Sequence, residues 1–381
     1  MTDIVILGAG YAGLAAATNL AGRVRRRDDV RLTLVNAGDR FTERLRLHST
    51  GAGRPTADLR LSGLLAGTNV RLEYGWVTAV DADARTVRLD DARDLPFDTL
   101  IYALGSATDT ASVPGAAEHA YTFDDFRGAE ALAARLDRGT VVVCGSGLTG
   151  VEAATEIAER HPDLAVHLVG RDAPGAFMTA GARDHLRAAL DRLGVRVRTS
   201  EIRKVLPGAV ELTDSRLEAD VVVWTAGTRV PPLAAAAGLT VDDRGRIVTD
   251  SSLRSVSHPW VYAVGDAAAV RQGFGTLHGT CQSGMPTGAY AASAIADELA
   301  GRQPKPFRYG YFHMPVSLGR NDAVVQFVHP DDSPKRLRLT GRRAVWYKET
   351  VSSSGLESFR RLFNTPSVGM FAWRRGGRFT R

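Results

Sequence analysis

The residues best suited to chemistry open the chain. In Asp-Ile-Val-Ile-Leu-Gly-Ala-Gly-Tyr-Ala-Gly, residues 3–13, an apolar run leads into Gly8, Gly10 and Gly13, which stand in G-x-G-x-x-G spacing before a helix-forming segment, 14–20. In that context Gly8 permits a tight turn and Gly10 admits a pyrophosphate close to the backbone. Gly13 lets helix and strand pack, and the N–H groups that open the helix, at Tyr11 and Ala12, are free to meet phosphate. The pattern returns at 140–152, where Gly145, Gly147 and Gly150, with Leu148 between them, again follow a β-branched run and precede an alanine-rich segment. Two such turns imply two dinucleotides, and two dinucleotides imply electron transfer from one to the other.

The elements around the turns repeat as well. Val30-Arg-Leu-Thr-Leu-Val35 alternates as a second strand, and its end, where an acid would hold a ribose hydroxyl, carries Asn36. In the second unit the corresponding strand, 164–169, ends at Gly170 with Arg171 next. The carboxylate that repels a 2′-phosphate is missing there and a guanidinium stands beside it, so NADPH is expected to serve at least as well as NADH. Strands ending at Gly105 and Gly227 close the two units, and Val-Tyr-Ala-Val-Gly-Asp at 261–266 aims Gly265 and Asp266 at a nucleotide site. Residues 39–66 read as a polar, arginine-rich and helical stretch, residues 70–89 as a strand pair turning near 81–84, and a helix is expected over 286–299.

Composition narrows the class. Hydrophobic residues make up 44% of the 381 and charged residues 24%, ordinary for a globular protein, and no run has the length of a membrane span. The N-terminus lacks a basic leader, and Cys144 and Cys281 are the only cysteines, which reads as a chain kept in a reducing cytoplasm. Charge is uneven. Residues 335–381 hold twelve Lys or Arg against Glu349 and Glu357, so this tail carries +10 while the chain as a whole carries +6. Aromatic residues interleave with those charges, among them Trp346, Phe359, Phe363, Phe371, Trp373 and Phe379. Helical phasing is only partial, with Leu356, Phe359 and Phe363 on one stripe and Ser352 to Gly355 interrupting it. A basic and aromatic tail suits an anionic membrane interface; its aromatics equally suit a domain core or a dimer contact. No groove-reading element for nucleic acid accompanies it.

The ordered set of motifs resembles the two-dinucleotide-binding flavoproteins of the pyridine nucleotide-disulfide oxidoreductase superfamily, and within them the type II NADH dehydrogenase and apoptosis-inducing-factor-like group. The set comprises the first glycine turn, Tyr-Ala-Leu-Gly at 102–105, the second turn with Gly-Val-Glu, Thr-Ala-Gly at 225–227, and Val-Gly-Asp. The resemblance covers residues 1–330. It implies an α/β fold with two Rossmann-like domains and a smaller α+β C-terminal region. The FAD domain would take residues 1–110 and 245–305, the inserted NAD(P) domain 111–244, and the C-terminal region 306–381. FAD would sit on the first turn and on Gly265-Asp266, NADH or NADPH on the second, and Met285 and Pro286, after Gly284, would reach the isoalloxazine. Glu152 would lie near the nicotinamide. His48 and Arg44 would flank the flavin or the acceptor's entry, and His278 and Gln282 are comparable candidates.

The disulfide reductases of that superfamily need a cysteine pair just after the first unit, and residues 37–60 contain none. Direct chemistry remains: hydride from NAD(P)H to FAD, then electrons to a quinone or another small acceptor, with no resident metal. The alternatives are a specialised-metabolite oxidoreductase on the same fold and a nucleotide-binding redox sensor or scaffold. Peripheral attachment to the inner face of a membrane and a homodimer are left open.

Overall fold

A computed structural model describes residues 1–367. Its first parallel sheet has five strands in the order Val261–Ala263, Thr99–Tyr102, Thr2–Leu7, Val30–Asn36 and Val70–Tyr74. Residues 4–7 are all buried, the continuous apolar pattern of a strand covered on both faces. A second parallel sheet of four strands repeats the plan in the order Arg196–Thr199, Ala165–Gly170, Thr140–Cys144 and Val221–Trp224. In each sheet the chain leaves one central strand through a glycine turn, and its later strands pair on either side of that one. The carboxyl end of such a strand is where doubly wound sheets bind their ligands.

Helix α1, Tyr11–Val24, follows the first turn and is buried along nearly its whole length. The arginine-rich stretch behaves differently from the helical expectation. Its only α-helical turns are α2, Leu47–Gly51, and the four residues Leu61–Leu64, joined by backbone that folds on itself through an Arg40–Arg60 bridge. Residues 70–89 are not a simple strand pair either. Val70–Tyr74 joins the parallel sheet, and the hairpin is Val77–Asp81 with Thr86–Leu89, its turn passing through Arg85 at φ 55°.

Helix α3, Leu148–Arg160, follows the second turn. Helix α4, Cys281–Leu299, begins earlier than residue 286 because Thr280 and Ser283 form a reciprocal capping box, leaving Pro286 inside the helix. The C-terminal region is an antiparallel sheet of His313–Ser317, Ala323–Val328 and Pro334–Thr340, followed by helix α5, Gly341–Asn364. That helix runs unbroken through residues 352–355, where the sequence suggests an interruption. The Ser354 and Ser358 hydroxyls donate to carbonyls of the preceding turn, and Gly355 faces the Tyr11 ring, where a Cβ would sit at an ordinary contact distance of 3.6 Å. Tyr11, Phe41 and Phe359 form an aromatic trio with centroids 5.1 to 6.4 Å apart. The stripe of Leu356, Phe359 and Phe363 therefore packs inward, while Trp346 stays exposed. Phe371, Trp373 and Phe379 lie outside the described residues.

Helices α1 and α4 cross so closely that a Cβ on Gly288 would stand 2.0 Å from the Ala12 carbonyl oxygen. Gly288→Ala is expected to cost roughly 1–3 kcal/mol in denaturant unfolding through overpacking. Gly63→Ala, whose new Cβ meets nothing within 4 Å on an exposed helical turn, is expected to be neutral or slightly stabilising. Equal effects of the two substitutions would contradict the crossing.

Candidate functional site

Both glycine turns are built alike at the atomic level. A Cβ on Gly13 would stand 1.8 Å from the Gly8 oxygen, and one on Gly150 would stand 1.7 Å from the Gly145 oxygen, so each helix is pressed against its own turn. Gly10 and Gly147 are the N-caps of α1 and α3, both extended and both without a capping side chain, and a Cβ on either meets nothing within 4 Å. Neither helix start is capped by a side chain and each has open space beside its N-cap glycine, which fits an incoming pyrophosphate. The turns fit a dinucleotide each. Leu148 is half-buried at the first position of α3.

Around the first turn the structure gathers most of the residues singled out from the sequence. Gly265, at φ 66°, lies against Ala12, and Gly284 stands nearly as close. Asp266 accepts a 2.7 Å hydrogen bond from Ser106, the neighbour of Gly105. Arg44 is exposed and donates to the Ser106 carbonyl at 2.6 Å, with Asp124 at 3.5 Å. Asn36 accepts from the Ala9 N–H at 3.0 Å and donates to the Gly38 carbonyl, so its amide braces the turn from the end of the second strand. Met285 and Pro286 are buried in the second turn of α4. Gln282 is held at both ends by the backbone of Phe312 and His313, and the His278 ring stacks on Tyr311. The Tyr11 hydroxyl is buried without a hydrogen-bond partner, and burial pushes its pKa up strongly.

Around the second turn, Gly227 at φ 74° lies against Asp109. Gly170 is obligatory: a Cβ there would fall 2.2 Å from the Ser146 hydroxyl and 2.8 Å from its nitrogen. An acid at the end of this strand would displace the turn itself. Arg171 follows, exposed.

Between the two turns lies a buried polar cluster drawn from four parts of the chain. Glu152 on α3 pairs with Lys348 of α5 and accepts from the Ser317 N–H at 3.0 Å. His48 of α2 lies with Nδ1 3.8 Å from the second Glu152 oxygen. Burial opposes ionisation of Glu152, but Lys348, His48 and the Ser317 N–H together outweigh it and hold the carboxyl below its usual range. Burial pushes His48 down to about 4, so it is neutral at physiological pH. Lys348 escapes a sequence reading: it stands 196 residues from Glu152 in a stretch of arginines. The one available cue is that it is a lysine among them.

The two thiols are free. Cys144 is fully buried beneath the second turn, and burial pushes Cys281 up to about 11, so both stay protonated at neutral pH. Among the described residues no group of His, Cys, Asp or Glu is arranged to hold a metal.

Residues 2–294 match the family model of the pyridine nucleotide-disulphide oxidoreductases. The chain belongs to that family. It is an NAD(P)H-dependent flavoprotein oxidoreductase, with FAD and a pyridine nucleotide as cofactors. It is 32% identical to an NADH dehydrogenase-like protein of Mycobacterium tuberculosis over 353 residues, covering 85% of this chain and 87% of the relative. With a type II NADH:quinone oxidoreductase of Staphylococcus epidermidis it shares 26% identity over 98% of both chains. The fold matches that of NDH2 from Plasmodium falciparum, solved with NADH, at a TM-score of 0.80 and 15% identity over 97% of this chain and 99% of the other.

Loss of Lys348 would leave a buried carboxylate unpaired. Lys348→Met is expected to lower stability at pH 7 by about 3–5 kcal/mol. With its cation gone, Glu152 shifts from a depressed to a raised pKa, so it takes up a proton and the deficit shrinks as pH falls towards about 5. Glu152→Gln in the same chain should restore part of the loss. Denaturant unfolding at both pH values checks this; a pH-independent deficit that the second substitution leaves untouched would contradict the pairing.

Proposed function

We propose that the protein oxidises NADH or NADPH and reduces a quinone or similar small acceptor, without a redox-active disulfide. The observation that carries this reading is the pair of uncapped, open glycine turns flanking one buried cluster, with no partnered thiol beside either. A relative aligned over nearly its whole length is a type II NADH:quinone oxidoreductase, which supports a quinone as acceptor.

In this reading residues 1–110 and 245–305 form the FAD domain, residues 111–244 the nicotinamide domain, and residues 306–381 the acceptor side. FAD would supply the hydride-accepting ring and pass electrons on. The N–H groups of Tyr11 and Ala12 would meet its pyrophosphate, and Asp266, fixed by Ser106, would receive a sugar hydroxyl. Asn36 braces the turn and would offer its remaining amide N–H to the ribose. Leu148 and the N–H groups after Gly147 take the nicotinamide dinucleotide. Glu152, held ionised by Lys348, positions its reacting end through a charged oxygen, and neutral His48 can hold a proton at Nδ1 beside it. Met285 and Pro286 close the flavin side through α4. Arg44 holds the carbonyl of Ser106 and so orders the loop after Gly105. Contact with an anionic membrane on the cytoplasmic side would fall to exposed Arg342, Arg343 and Trp346, since the apolar stripe of α5 is turned inward. No helix among the described residues is long and apolar enough to cross a membrane.

Steady-state oxidation of NADH and NADPH with menadione as acceptor tests the reading. Turnover is expected with both nucleotides, with kcat/KM for NADPH at least equal to that for NADH. Arg171→Ala should lower the NADPH value by roughly 10- to 100-fold, the loss of one charge-assisted contact of about 1.5–3 kcal/mol. A tenfold preference for NADH, or a ratio that the substitution leaves unmoved, would overturn the role of Arg171. Reduction of the flavin without turnover on any quinone would overturn the acceptor.

A further inference from the structure

A cavity of about 580 Å³ opens where the arginine-rich stretch, the end of α3, the turn before residue 323 and α5 meet. Its volume lies within the range of small-molecule sites, yet its walls are unlike the largely apolar lining usual there. Arg46, Arg54, Arg160 and Arg320 all line it, against the single acid Glu43, and Leu356 is its one long aliphatic side chain. The four guanidiniums come from three parts of the chain, the arginine-rich stretch, the end of α3 and the turn before residue 323, so no one amphipathic face accounts for their convergence.

Two of the four are locked from behind. Arg54 is held by Glu156 and by Glu159 at 3.0 Å, and Arg46 by Glu43 at 3.2 Å and Glu349 at 2.9 Å. The other two are free to meet a ligand. Arg320 has only Glu349 at 3.8 Å, an acid already engaged by Arg46, while its own backbone N–H is fixed by Glu159. Among the described residues Arg160 makes no ion pair, and it is exposed at the rim. Glu156 and Glu159 fix the Arg54 guanidinium, and with Glu43 and Glu349 they balance much of the local positive charge, so what the cavity offers an anion is the unengaged donors of Arg160 and Arg320. Burial pushes Glu43 above its usual range while Arg46 opposes the shift.

We infer that this cavity binds a small hydrophilic molecule through its anionic groups, carboxylate, phosphate or sulfonate, gripped by Arg160 and Arg320 over a floor of Arg46 and Arg54. Planar guanidinium forks match the oxygens of such groups, and little apolar wall is present for a long isoprenoid chain. The ligand is either the polar acceptor itself or a separate anion that acts on turnover. Only the acceptor alternative rests on the quinone reading above.

Calorimetric titration of the flavin-loaded full chain at low ionic strength, with saturating NAD⁺ occupying the second glycine turn, using inorganic pyrophosphate and naphthoquinone sulfonate, tests the site. Saturable binding is expected. It should weaken by about tenfold or more in Arg160→Gln/Arg320→Gln and persist in Arg343→Gln, an exposed arginine elsewhere on α5. The single substitutions, each at an exposed side chain, give the same readout in smaller steps should the double variant fold poorly. No saturable binding of either probe, or equal affinity in the substituted chains, overturns the proposal. A shift in the ratio of KM values for naphthoquinone sulfonate and menadione in the double variant identifies the acceptor as the ligand. An unmoved ratio alongside lost pyrophosphate binding identifies a separate anion. Pyrophosphate binding by a protein that reduces neither quinone would leave the site standing and remove the quinone reading instead.

Discussion

The close approach of backbones around the first turn of α1 is the constraint on which the rest depends. Gly13 lies against the Gly8 oxygen, Gly288 against the Ala12 oxygen, and Gly265 against the Ala12 side chain. Side chains at Gly13 or Gly288 would push strand, helix α1 and helix α4 apart by more than an ångström, and one at Gly265 would be strained by its φ of 66°. With them absent, a segment more than 250 residues further on returns to the opening turn and sets Asp266 beside Ser106. The same economy of atoms leaves Gly10 facing open space, where a phosphate can approach the N–H groups of α1.

A second constraint is electrostatic. Glu152 is largely withdrawn from solvent, its side chain 14% exposed, and such a carboxylate stays ionised only with partners. Those partners come from α2, the Ser317 backbone and α5, so the charge can be satisfied only when the second unit, the arginine-rich stretch and the C-terminal region are assembled together. Arg54 with Glu156 and Glu159, and His185 with Asp322 at 2.8 Å, tie the same regions at their edges. The cluster between the turns is in this sense a product of the whole fold and not of any one motif.

That division explains what the sequence could and could not disclose. Both glycine turns, Gly265-Asp266 and the two parallel sheets were legible because each rests on local spacing and on continuous apolar runs. The absence of a cysteine pair after the first unit was legible for the same reason. Helix α4 was misplaced at its start because Pro286 draws attention as a first-turn residue, while the Thr280–Ser283 capping box is a weaker local signal. Helix α5 was misread because serines and Gly355 look like a break, whereas the hydroxyls bond to their own turn and the glycine faces the Tyr11 ring. Lys348 and the convergence of Arg160 with Arg320 depend on contacts between distant segments, which no local pattern encodes.

In the proposed reaction hydride passes directly from the nicotinamide to the flavin, with no thiol pair between them. Anaerobic titration of the flavin-loaded protein with its preferred nicotinamide tests this. The flavin's visible absorbance should bleach fully at about one equivalent of nucleotide per flavin, with no long-wavelength thiolate band. Consumption of about two equivalents, with such a band appearing on the way, would require a redox-active thiol pair and contradict it.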